Sequence, residues 1–221
     1  MEIKNIVVCG DSFSSADKNL PGTHYSELLS NMGFNVRNLA RGGITNTAIC
    51  FQIQEAIKLN ADLVIFTSTS PDRLDIPIGR FDPSLGLKNF VYTFQSDSST
   101  GDPLVGDVNA PIYSDVVPSL LGGRPDAPKH LITDEHLLAI KYYLTFLHSS
   151  ELKNEVDTWI IQYWTSKIKC LNLKTSTIGK PLYNYVKQHP DKRQQAVYHT
   201  DIETQEKVAF DIKNYIDKTT K

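Results

Sequence analysis

The chain has 221 residues, 40% of them hydrophobic and 22% charged, and a formal net charge of -2. That length suits one α/β domain with a substantial core. Near-neutral charge without a long basic run argues against nucleic acid or an anionic membrane as main partner, and no run of about 18 apolar residues exists to span a bilayer. The N-terminal "MEIKNIVV" enters a strand almost at once and lacks the basic-then-apolar layout of a signal peptide. Three cysteines, Cys9, Cys50 and Cys170, make neither a disulfide framework nor a CxxC pair. A reducing, cytoplasmic compartment is the simplest expectation, with Cys9 a small core residue rather than a second nucleophile.

Ile3 to Val8 reads as a short apolar strand. Tyr25, Leu28, Leu29 and Met32 follow at helical spacing, and "FNVRNL" (Phe34 to Leu39) reads as a second strand. Ile49, Ile53, Ala56 and Ile57 mark another helix, and "ADLVIF" (Ala61 to Phe66) a third strand. Strand and helix alternating at this pace imply right-handed crossovers and a parallel sheet. Such sheets bind ligands at the carboxyl ends of their strands, the edge where Gly10, Asp11 and Ser12 would sit.

Leu74 to Ile132 differs: it holds seven of the eleven prolines and six of the twelve glycines. It reads as an insertion over the sheet edge, a lid or an interaction surface, with a solvated excursion as the alternative. Within it, "FVYTF" and "APIYSDVV" could pair as a hairpin. Helices resume at Asp134, with Thr133 as N-cap. A second long helix carries Val156, Trp159, Ile160, Tyr163, Trp164 and Ile168 on one stripe, expected to be core. "CLNLKTST" alternates as a fourth strand. Val208, Ala209, Ile212, Tyr215 and Ile216 form an amphipathic final helix. Neither a repeat nor a second domain interrupts residues 1–221.

Three blocks converge on one rim of this sheet. Gly10-Asp11-Ser12 allows a sharp exit from strand one and starts the next segment with the Ser12 backbone N–H as an expected oxyanion donor. "NLARGGITN" (Asn38 to Asn46) contains Gly42-Gly43, where backbone can approach a ligand. "VYHTDIETQEKVAFDI" places His199 just ahead of the last helix. A serine and a histidine on neighbouring loops are the minimum for nucleophilic acyl transfer, the imidazole taking the hydroxyl proton and returning it to the leaving group.

The order Gly-Asp-Ser, then Asn-x4-Gly after strand two, then a His opening the C-terminal helix resembles the SGNH (GDSL) hydrolase superfamily. The resemblance covers Ile3 to about Arg73 and Tyr198 to Ile216. It implies a three-layer α/β/α fold with a flavodoxin-like parallel sheet and a long insertion after the third strand. It also implies a serine esterase or acetylesterase acting on a small-molecule or carbohydrate ester, with no cofactor and no metal. By position, Ser12 would be nucleophile and His199 general base, with the backbone N–H groups of Ser12 and Gly43 aimed at the oxyanion. "HTDIETQEKVA" further resembles the ending of phage-encoded relatives, with Gln205 where a second histidine often occurs. A virion location or partner, or a homo-oligomer, joins the expectations on that basis.

Two positions depart from the family pattern. Pro71 stands where an Asn usually completes the oxyanion hole, and proline offers neither a side-chain donor nor a backbone N–H. Ser68, Ser70, Arg73 and Asn46 are the candidate substitutes, with Asp11 also at the rim. Ala196 stands where an Asp usually orients the histidine, leaving a dyad, Asp201 or a backbone carbonyl to do so. Other readings stay open: Ser12 as a cap, His199 as a plain helix-start residue, Gly42-Gly43 as a tight turn, and Asp72-Arg73 as a structural ion pair. The rival function is a hydrolase-like scaffold that binds or assembles without cleaving. A weaker one is a nucleotide or flavin binder, against which the absence of P-loop glycines and lysine weighs. His24, His130, His136, His148 and His189 show no metal-ligand spacing.

Overall fold

The computed structural model describes residues 2–17, 20–41, 44–69, 71, 94–96, 103–105, 142, 146–188 and 200–220. Four strands build the main sheet: β1 (Asn5–Cys9), β2 (Asn35–Asn38), β3 (Leu63–Phe66) and β6 (Cys170–Asn172). They lie in the order β2-β1-β3-β6, every pair parallel. That is the flavodoxin-like order for the first four strands, with the topological switch beside β1. Ile6 pairs with Leu63 and Cys9 with Phe66, while Val8 pairs with Asn38 on the other side.

Among the described residues, the helices that accompany the strands are α1 (Tyr25–Asn31), α2 (Asn46–Lys58), α3 (Ser150–Thr165), α4 (Lys180–Gln188) and α5 (Ile202–Thr219). The period-two alternation of the strands sorts the core into two halves. Ile6, Val8, Leu63, Ile65 and Leu171 meet Tyr25 and Leu29 of α1, Leu182 of α4, and Val208, Ala209, Ile212 and Ile216 of α5. Val7, Cys9, Val64 and Phe66 meet Ile49, Ile53 and Ala56 of α2, with Ile161 and Trp164 of α3 packed against them. Helices therefore cover both faces, which makes three layers. Each fully buried aliphatic side chain contributes about 1.5–3 kcal/mol of hydrophobic stabilisation.

Short-range chemistry sets the helix starts. Thr45, Ser149 and Asp201 cap α2, α3 and α5, each side chain accepting a backbone N–H from the first turn. At α1 the cap is His24, whose ring accepts the Ser26 N–H while the Glu27 carboxylate accepts the His24 N–H. α4 was not anticipated from the sequence. Its signals are Pro181 in the first turn and Gly179 just before it. A Cβ on Gly179 would lie 1.9 Å from the Leu173 carbonyl oxygen, so only glycine lets α4 start this close to the end of β6.

One other expectation is corrected. The expected stripe on α3 is not the one that faces the core: Trp159 and Tyr163 are 63% and 57% exposed. Asp157, Ile161, Trp164 and Ile168, an overlapping set at helical spacing, turn inward instead. Asp157 meets a polar partner on α2, Asn46, while Trp159 lies on the exposed side of the helix. Of the expected hairpin, "APIYSDVV" and all of "FVYTF" but Phe94 lie outside the described residues, and Phe94–Ser96 (β4) pairs antiparallel with Pro103–Val105 (β5). The remainder of 74–132, and the Thr133 cap, lie outside the described residues. Among those described, no helix is long and apolar enough to cross a membrane.

Candidate active site at the carboxyl edge of the sheet

β1 ends at Cys9, and Gly10 then turns the chain with a φ of +145°. A side chain is excluded there, since a Cβ would lie 2.2 Å from Thr67 Oγ1 and 2.9 Å from Ser14 Oγ. The Gly10 N–H donates to Gln52 Oε1 at 2.7 Å, and Gln52 Nε2 donates to the Leu39 carbonyl at 2.7 Å. One buried glutamine on α2 thus ties the exits of β1 and β2 together. Residues 11–14 close a turn in which the Ser14 N–H donates to the Asp11 carbonyl and the Phe13 N–H to Asp11 Oδ1. Ser12 is the second residue of this turn and is 7% exposed. The Ser14 and Thr67 hydroxyls meet at 3.0 Å, and Asn38 Nδ2 donates to the Ser14 carbonyl at 2.8 Å. The second block is thereby fastened to the first.

A line of polar contacts runs from this turn across the end of the sheet. Thr69 Oγ1 donates to Asp11 Oδ2 at 2.9 Å. The Thr69 N–H donates to Asn46 Oδ1 at 2.8 Å, and the Thr69 carbonyl accepts from Asn46 Nδ2 at 3.1 Å. Asn46 Nδ2 also donates to Asp157 Oδ2 at 2.9 Å, and Lys153 pairs with the other oxygen of Asp157. Asn46 and Asp157 are each 4% exposed. Both amide hydrogens of Asn46 are therefore engaged by protein groups.

The opposite side of the turn is lined by aromatic residues. Phe13 stacks on Tyr183 of α4 at 4.8 Å between centroids. Burial, with the Asp11 carboxylate adding to it, pushes the Tyr25 and Tyr183 phenols well above their ordinary range; the Ser14 and Thr67 hydroxyls oppose this more weakly. Both stay protonated. Burial also drives the His24 imidazole down to about 3, against a smaller opposing contribution from the Phe13 backbone. A neutral ring engaged as a helix cap is a poor general base near pH 7. Burial likewise raises the Cys9 thiol, with Cys170 and Cys50 adding to it, so Cys9 remains a protonated core residue.

Of the residues singled out from the sequence, Asp11, Ser12 and Asn46 are brought to one rim. Pro71 is a partly buried turn residue close by, and Ser68 is partly buried. Gly43, Ser70, Arg73 and His199 lie outside the described residues, as does Gly42. Thr200 and Asp201, which follow His199, are described: Thr200 is buried and Asp201 caps α5. Sequence reasoning missed Gln52, Thr69, Lys153 and Asp157. Lys153 and Asp157 carry the i,i+4 spacing of an ordinary helix-surface pair, and nothing local marks this one as buried. Among the described residues, no group of three or more His, Cys, Asp or Glu could hold a metal ion.

No family model matches the chain, and no curated protein matches it. Solved structures similar to it include a protein described as lipolytic, of the G-D-S-L family, from Desulfitobacterium hafniense DCB-2. That alignment has 10% identity over 96% of this chain and 98% of the other, with a TM-score of 0.39. Another is a catalytic mutant of Axe2, an acetylxylan esterase from Geobacillus stearothermophilus, at 13% identity over 98% and 96% of the two chains, TM-score 0.39.

Proposed function

We propose that the protein is a serine ester hydrolase in which Ser12 is the nucleophile and His199 the general base. The hydroxyl oxygen of Ser12 attacks the acyl carbon and its proton passes to the imidazole. The ring returns that proton to the departing alcohol, and water then releases the acid from the acyl-enzyme by the same route. The backbone N–H groups of Ser12 and Gly43 hold the oxyanion, with the side chains of Ser70 and Arg73, close in sequence to Pro71, as candidates for the absent donor. Losing one such donor typically costs about 2.7–4 kcal/mol in the barrier. Asp11 and Asn46 hold the rim in shape. The substrate class is a small ester, an O-acetyl group on a carbohydrate being the form implied by the sequence resemblance.

The observation that carries this reading is the position of Ser12. It sits on the turn leaving a central parallel strand, at the edge where such sheets bind ligands. Supporting it, the start of α5, which begins three residues after His199, is tied to the first residue of α1 through Gln205 and Tyr25. The test is labelling with a fluorophosphonate and mass mapping of the adduct. Ser12 is expected to take the label in the native protein and not in a His199→Ala variant, with turnover of short-chain aryl esters lost in both His199→Ala and Ser12→Ala. Absence of label and of turnover in the native protein overturns the reading.

A second reading, a hydrolase-like scaffold that binds without cleaving, is favoured by one observation. Asn46, a candidate replacement for the missing oxyanion donor, has both amide hydrogens engaged by Thr69 and Asp157. A protein that binds acylated carbohydrate in calorimetry yet neither labels nor turns over would be of this kind.

A further inference from the structure

Asp157 is the only residue of α3 that is buried, and it is ionisable. A buried carboxylate is costly unless it is paired and hydrogen-bonded. Here Lys153, at 21% side-chain exposure, meets one oxygen, and Asn46 Nδ2 meets the other at 2.9 Å. The direction of that second bond matters. An ionised carboxylate can only accept, so it must face the NH2 end of the Asn46 amide. The amide oxygen then has to point the other way, at the Thr69 N–H, which it accepts at 2.8 Å. Flipping the amide would set NH2 against N–H at Thr69 and oxygen against oxygen at Asp157. The orientation is therefore set from two sides that agree, by the Asp157 carboxylate on α3 and by the N–H and carbonyl of Thr69.

Beyond Asn46 the chain of bonds is just as directional. With the Thr69 backbone gripped at both its N–H and its carbonyl, the Thr69 hydroxyl donates to Asp11 Oδ2. The other Asp11 oxygen accepts the Phe13 N–H, closing the turn that carries Ser12. We infer that Asp157, neutralised by Lys153, is the positioning residue of this rim: it orients Asn46 and, through Asn46 and Thr69, places Asp11 and the Ser12 turn. It touches no reacting atom. Its consequence for rate rests on the ester-hydrolase reading; its consequence for the geometry of the turn does not.

Two measurements separate these. Amide hydrogen exchange reads the geometry. In Asp157→Asn the Thr69 and Phe13 amides are expected to exchange about tenfold faster or more, while the Ile65 amide in the sheet is unchanged. Unchanged exchange at Thr69 and Phe13 overturns the proposal, whether or not the protein cleaves esters. Should Asp157→Asn fail to fold, Thr69→Val, which removes the hydroxyl from Asp11 and breaks the same chain of bonds one link on, is read in the same way at the Phe13 amide. Kinetics reads the function. Asp157→Asn and Thr69→Val are expected to lower kcat by about ten- to a hundredfold with KM little changed. Thr69→Ser, which keeps the hydroxyl on Asp11, should recover most of the rate lost in Thr69→Val. Loss of rate only in proportion to loss of folded protein overturns the positioning role. A native protein that leaves Ser12 unlabelled and cleaves no ester overturns the hydrolase reading instead, and the exchange result then decides the positioning of the turn.

Discussion

The side-chain carbonyl of Gln205 accepts the backbone N–H of Tyr25 at 2.9 Å, across 180 residues of chain. Tyr25 opens α1 and Gln205 lies in the first turn of α5, so one bond brings two helix beginnings to the same edge of the sheet. Gln205 is 1% exposed, and water does not replace it as an acceptor. Gln205→Leu therefore leaves a buried N–H unsatisfied and should lower stability by about 1–3 kcal/mol in urea titration. In the proposed enzyme it should reduce kcat further than the loss of folded protein accounts for, because the start of α5 loses its tie to the start of α1.

Gly10→Ala should be more damaging. The φ of +145° is a conformation that L-residues rarely adopt, and the new methyl would be driven into the Thr67 and Ser14 hydroxyls. Backbone strain of this kind costs about 1–3 kcal/mol, and overpacking a rigid site adds a similar amount. A loss well under about 1 kcal/mol in chemical denaturation would show that the turn relaxes freely.

His24 gives the protein a defined acid sensitivity. Its ring is neutral when folded, with the imidazole lowered from an ordinary 6.5 to about 3. Below about pH 6.5 the unfolded chain takes up a proton that the folded chain refuses, so stability falls as pH drops from 6.5 toward 3. Above 6.5 this contribution is fully present. Asp62 is also lowered, by the Asn5 and Lys4 backbone N–H groups that it accepts, but it acts only below the carboxylate range. Between about pH 6.5 and 4 the difference in slope between the native chain and a His24 variant therefore reports His24. His24→Asn, which keeps a good helix cap, should flatten urea-derived stability across that window. Parallel curves for the two proteins would refute the assignment.

The two tryptophans of α3 should behave oppositely. Trp159 projects from the helix, so Trp159→Ala should change stability by no more than about 0.5 kcal/mol. Trp164 packs on the α2 side of the core, and Trp164→Ala should cost about 2–4 kcal/mol in thermal or urea unfolding. Equal costs would mean that α3 presents a different arc to the sheet.

Much of the fold was legible because its signals are local. Ile6 to Val8 and Leu63 to Phe66 are continuous apolar runs, as strands buried on both faces must be, and they fall where the strands form. Helices α1, α2 and α5 announce themselves by apolar residues every three or four positions. The face of α3 was not legible, since the inward stripe carries the charged Asp157 and its partner Asn46 lies 111 residues away. α4 escaped because its glycine and proline read as loop, when they in fact mark a tight helix entry. At the rim, Ser12 was legible as a serine after a strand. The engagement of Asn46 by Thr69 and Asp157 was not, since an asparagine after a glycine pair looks the same whether it faces a ligand or a neighbour.

By itself the sequence determined the parallel α/β plan, the turn after β1 and the candidate nucleophile on it, because hydrophobic period and turn chemistry act over a few residues. Only the tertiary structure decided which polar groups stand around that turn. Gln52 reaches Gly10 over 42 residues, Asp157 reaches Asn46 over 111, and Gln205 reaches Tyr25 over 180. A buried hydrogen bond is favourable only when its partner arrives in register, and the packing of the helices on the sheet is what delivers the partner.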